Sequence, residues 1–137
     1  MHLFVDEVQA VVKPPINSLI LATADAINRQ GLRTVGLLAS PTTFESGLFQ
    51  KHLPGMMAVT PGVKQQKRLE KVIRNVIGGQ TSNQDKRFLA QQIKLLKDLG
   101  AQKVILGCTE LSVLANDMAL TDVIDPLQLV VERIFNN

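Results

Sequence analysis

Val104-Ile105-Leu106-Gly107-Cys108-Thr109-Glu110-Leu111 decides how this chain is read. Three apolar residues after Lys103 suit a short buried strand, Gly107 suits a tight turn, and Thr109-Glu110-Leu111 suits the start of a helix. Cys108 therefore falls at the carboxyl end of a strand and the amino end of a helix. Unpaired backbone N–H groups and the positive helix terminus are expected there to stabilise thiolate over thiol. Ligands of open parallel sheets also bind at that edge. The plainer alternative is a small buried apolar residue, as free cysteines often are.

Similar segments flank this one. Thr34 to Ala39 is a near-continuous apolar run, expected as a strand buried on both faces. Ser40-Pro41-Thr42-Thr43 reads as a turn, and one helix is expected from there to about His52. Met56 to Val59 is a shorter strand, broken by Pro61-Gly62, and a long helix follows to about Ile77. Gly78 to Ser82 is the clearest loop. Ser82 is expected to cap a helix that ends near Leu99-Gly100. Lys103 to Leu106 is the third strand, Glu110 to Asn116 a short helix, Val123-Ile124 a fourth strand, and Pro126 to Phe135 a closing helix with proline near its start. Upstream, Leu3 to Val12 has helical apolar spacing, ended by Lys13-Pro14-Pro15. Asn17 is expected to cap a helix that runs to Asn28 and stops at Gly31. Strands alternating with helices mean a parallel sheet of about four strands covered on both faces, an α/β three-layer architecture of flavodoxin-like or Rossmann-like kind.

A chain of 137 residues, 45% apolar and 20% charged, suits one folded domain, here residues 1–137. With no Trp or Tyr and five Phe, the core must be aliphatic. A net charge of +3 is too mild to argue for nucleic acid. One cysteine excludes an internal disulfide. The start Met1-His2-Leu3-Phe4 lacks a basic region followed by an apolar run, and no uninterrupted apolar stretch is long enough to span a bilayer, so a soluble cytoplasmic protein is expected.

Ser40, Thr42 and Thr43 occupy a second strand-to-helix turn, where hydroxyls and free N–H groups suit a carboxylate or phosphate. Ordinary N-capping by Thr42 or Thr43 explains the same residues. In a parallel sheet this turn shares an edge with Cys108. Thr109 is expected to cap the short helix or to bond a substrate carboxylate, and Glu110 to sit in its first turn as a dipole-favoured carboxylate. Lys64, Lys67, Arg68, Lys71 and Arg74 fall on one side of a helix and, without interleaved aromatics, read as a solvated face. His2 and His52 show no ligand spacing, so no metal site is expected. Gly78-Gly79 does not match a phosphate loop. A metal-dependent signalling receiver needs acidic strand ends, whereas these end in Ala39-Ser40 and Gly107-Cys108.

These residues resemble the cofactor-independent aspartate/glutamate racemases. Val35-Gly36-Leu37-Leu38-Ala39-Ser40-Pro41-Thr42-Thr43, with Glu45-Ser46-Gly47-Leu48-Phe49-Gln50, is similar to a mid-chain motif of that family. Ile105-Leu106-Gly107-Cys108-Thr109-Glu110-Leu111 is similar to its second catalytic cysteine motif, and Ile124-Asp125-Pro126 to its closing segment. The resemblance implies two pseudo-symmetric α/β domains around a site in which two cysteines, one as thiolate and one as thiol, invert the Cα of a small dicarboxylic amino acid without pyridoxal phosphate or any other cofactor. It implies Cys108 as one acid/base group, Ser40, Thr42, Thr43 and Thr109 as carboxylate binders, and Glu110 and His2 as orienting groups.

The family's first cysteine lies in a Cys-Asn-Thr-x-His stretch. This chain opens Met1-His2-Leu3-Phe4-Val5-Asp6-Glu7-Val8-Gln9, similar to the sequence just after Cys-Asn-Thr, with His2 as the motif's histidine. Where family members carry a His and an acidic residue, this chain has Ser18 and Leu21. The resemblance thus implies a truncated member that lacks the first cysteine and most of one domain, with reduced or no activity alone. A non-catalytic remnant or carboxylate-binding module is the alternative. Surface that should pack on the missing domain implies a homo-oligomer, a dimer or larger, with residues 1–30 and 126–137 packing on or exchanging with a partner subunit.

Overall fold

The computed structural model describes residues 4–13 and 16–136. His2, Pro14 and Pro15, which carry expectations above, lie outside the described residues.

The sheet has four parallel strands, β1 (Thr34–Leu38), β2 (Met57–Val59), β3 (Lys103–Leu106) and β4 (Val123–Ile124), in the order β2-β1-β3-β4. Among the described residues the helices are α1 (Val5–Gln9), α2 (Leu19–Arg29), α3 (Pro41–Ser46), α4 (Leu48–His52), α5 (Val63–Ile77), α6 (Asn83–Asp98), α7 (Thr109–Ala115) and α8 (Pro126–Phe135). The expected α/β architecture and strand count are observed.

Alternation along buried strands divides the core into two layers. Val35, Leu37, Ala39, Ile105 and Ile124 face a cluster with Ile20, Ala24 and Ile27 of α2 and Phe49 of α4. Leu38, Val104 and Leu106 face the other way, into a cluster built with α5, α6 and α7 through Leu69, Val72, Phe88, Leu89, Leu96, Leu111 and Leu114. Each such side chain contributes about 1.5–3 kcal/mol when fully buried. At the amino edge, Gln102 binds β1 to β3: its side-chain oxygen accepts the N–H groups of Arg33 and Thr34 at 2.7 and 3.0 Å, and its own N–H donates to Thr34 O at 2.8 Å.

Three local expectations are corrected. The helix expected as one piece to His52 is two, because Gly47 takes a left-handed φ of 61° between α3 and α4. The cap of α2 is Ser18, whose hydroxyl accepts from Leu21 N, and not Asn17. Ser40 caps α3 by accepting from Thr43 N, in place of Thr42 or Thr43. The basic side of α5 is exposed as expected, with the Arg68 guanidinium 4.5 Å above the Phe88 ring. Among the described residues, no helix is long and apolar enough to cross a membrane.

Candidate active site at the carboxyl edge of the sheet

From β1 the chain moves outward to β2, then returns past β1 to form β3 on its other side. The β1/β3 boundary is therefore where the winding reverses, and ligand crevices of open α/β sheets form outside the strand ends there. The turns after β1 and β3 both open at this place. Gly107 holds them together: its N–H donates to Leu38 O at 2.7 Å. A Cβ on Gly107 would stand 2.9 Å from Leu37 Cδ1, 3.0 Å from Ala39 Cβ and 3.1 Å from Leu38 O, so this approach requires glycine.

Cys108 follows as the N-cap residue of α7, which has no side-chain cap. Thr109, expected as the cap, is the first helical residue. The Cys108 thiol is half-buried and donates to Glu110 Oε2 at 2.6 Å, while the Thr109 hydroxyl donates to the same oxygen at 3.3 Å. Burial, and after it the hydrogen bond to Glu110, pushes the Cys108 pKa up from 9.0 to about 12. The expectation of a favoured thiolate is thus corrected. The backbone N–H groups of Glu110 and Leu111 do act in the expected direction, but burial and a neighbouring carboxylate outweigh them. The thiol proton in turn holds the Glu110 carboxyl below its usual range.

A cavity of about 490 Å³ lies over this thiol, lined by Cys108, Thr109 and Ser112 of the β3 turn and α7, Thr43 and Phe49 of the β1 side, Asn17, Leu19 and Ile20 before and within α2, and Pro126 and Leu127 of α8. Cys108, Thr43 and Thr109 therefore share one space. Ser40 stands behind Thr43, with their hydroxyls 3.2 Å apart, and Thr42 is exposed outside the lining. Glu110 touches the cavity through the thiol it receives. Asn17, Phe49, Pro126 and Leu127 went unrecognised as lining residues. The turn signals at Asn17 and Pro126 had marked helix starts, and the fold brings the starts of both α2 and α8 to this cavity.

A larger groove of about 530 Å³ between α7 and α8, next to β4, holds no cysteine, and its lining is mostly apolar. Among the described residues, no group of three or more His, Cys, Asp or Glu comes together as a metal centre would require.

The fold and site together are those of an α/β protein with a thiol–carboxylate pair opening into a cavity at the winding reversal of its parallel sheet. The chain matches the Asp/Glu/Hydantoin racemase family over residues 1–134 and belongs to it. It is similar to the crystal structure of a Yersinia pestis protein assigned as an Asp/Glu racemase, with 28% identity and TM-score 0.82 over 99% of this chain and 61% of that one. It is likewise similar to an aspartate racemase homologue from Pyrococcus horikoshii, with 28% identity and TM-score 0.77 over 98% and 61%. Glutamate racemase from Francisella tularensis, solved with D-glutamate, shares the fold at 20% identity and TM-score 0.63 over 96% and 50%. The chain thus spans about 61% of the length of the first two relatives.

Proposed function

We propose that this chain supplies one proton-transfer group, Cys108, to a racemase site for a small dicarboxylic amino acid such as aspartate or glutamate, working without pyridoxal phosphate. The observation that carries the reading is the Cys108–Glu110 pair, 2.6 Å apart, opening into a cavity that Thr43 of the neighbouring turn also lines. At neutral pH the thiol is protonated, so its first act is donation: the S–H proton passes to the planar Cα carbanion on one face, leaving thiolate. In the reverse direction the thiolate takes the Cα proton, and Glu110 orients the S–H so formed. Thr43 and Thr109 hold a carboxylate by their hydroxyls, and Ser40 supports Thr43; of the other residues that the family resemblance assigns, Thr42 stands outside the cavity lining and His2 lies outside the described residues.

One thiol reaches one face of Cα, and this chain has one cysteine. Efficient inversion therefore needs a second acid/base group from another source. That same observation favours the second reading, a carboxylate-binding module without turnover. We further propose a cytoplasmic homo-oligomer, supported by the exposed apolar side chains Val131, Ile134 and Phe135 on α8 and Leu21 on α2.

The test is Cα–H exchange of L-aspartate and L-glutamate in heavy water, followed by NMR. Exchange that disappears in Cys108→Ser carries the racemase reading. Binding without exchange for either acid leaves the second reading.

A further inference from the structure

Ser112 is 5% exposed on α7, one turn after Cys108, and its N–H donates to Cys108 O at 3.4 Å. A serine within a helix often bonds back to its own preceding turn. The Ser112 hydroxyl instead leaves the helix and donates to Asp125 Oδ1 at 2.6 Å. Asp125 is the N-cap of α8, and the same Oδ1 accepts from Leu127 N at 2.9 Å and Gln128 N at 3.4 Å. One carboxylate oxygen therefore ties the helix that begins at Cys108 to the first turn of α8. Pro126 and Leu127 of that turn line the Cys108 cavity. Ser112 and Leu127 also line the adjoining groove of about 530 Å³. The hydrogen bond thus stands in the wall between the two spaces.

We propose that Ser112 and Asp125 are positioning residues, a latch that holds the start of α8 against Cys108 and closes its cavity off from the adjoining groove. The inference rests on Cys108 as the proton-transfer group, because the wall that the latch holds is the one beside that thiol. Burial is the first cause of the raised thiol pKa, so loosening this wall hydrates the sulfur and makes it more acidic.

The test is the pH profile of alkylation of Cys108 by iodoacetamide, measured on the full chain, where it is the one thiol present. Ser112→Ala removes the latch and leaves Asp125 its two backbone donors, so the α8 cap survives. We expect its profile to move to lower pH, with the rate at pH 8 rising roughly tenfold for each pKa unit lost. Ser112→Thr keeps the hydroxyl and should stay near the wild type, whereas Ser112→Val, which lacks it, should follow Ser112→Ala. Asp125→Asn keeps an acceptor oxygen and should alkylate slowly. A wild-type profile in both Ser112→Ala and Ser112→Val overturns the latch, whatever their melting temperatures. Fast alkylation of Ser112→Thr equal to that of Ser112→Val does so too. Alkylation needs no turnover, so the latch can fail while Cys108-dependent exchange stands, and the reverse.

Discussion

The turns after β1 and β3 occupy the same edge, follow parallel neighbours and each start a helix, yet they handle their polar groups differently. After β1, Ser40 accepts from Thr43 N and pairs with the Thr43 hydroxyl, so that turn is closed on itself. After β3, no side chain caps α7, and the thiol that stands in the cap position donates a hydrogen bond to a carboxylate two residues on. Backbone geometry therefore positions both turns, and side-chain chemistry places an ionisable thiol–carboxylate pair only at the second. Ser40 satisfies one of the free N–H groups at the start of α3, whereas those at the start of α7 receive no side-chain cap.

The contrast breaks most completely at the sulfur. Cys108→Ser should lower Cα–H exchange by on the order of a hundredfold or more, because a hydroxyl in that position is a far weaker acid–base partner. Next comes the contact that joins the turns. Gly107→Ala forces a methyl against Leu38 O and Ala39 Cβ and should cost about 1–3 kcal/mol in urea unfolding.

A smaller effect sharpens the electrostatic side. With a pKa near 12, the wild-type thiol is protonated below pH 9 and its alkylation should keep accelerating from pH 9 upward. Glu110→Gln removes the carboxylate but not the burial, so the profile should move only part of the way back, with about a three- to tenfold faster reaction at pH 8. Smallest is the change on the closed side. Ser40→Ala should cost about 1 kcal/mol of stability, read by thermal unfolding, and leave the Cys108 alkylation profile in place.

Much of the architecture was legible in the chain itself. Lys103–Leu106 and Pro126–Phe135 appear with the bounds expected, because an apolar run next to glycine, or a proline at a helix start, is a local signal. The Gly47 break was not, since a short helical pattern with one glycine also fits a continuous helix. Nor was the choice of Ser18 over Asn17, two good caps side by side. At the site, Cys108 and Thr43 were placed on one edge by the parallel topology alone. The acidity of the thiol was misjudged because it depends on burial by distant segments: Phe49 of α4 and the first turn of α8 complete the cavity wall, and no local pattern around Cys108 reports them.

The bond from Gln102 to Arg33 and Thr34 spans 69 and 68 residues of chain. During synthesis β1 leaves the ribosome long before its central neighbour β3 exists. Until then Val35, Leu37 and Leu38 lack half their shelter, and one strand edge stays open to any passing chain. Parallel pairings of such separation form late. Nascent chains of this protein should therefore be clients of chaperones that bind bare aliphatic segments, and premature release should send them to aggregates.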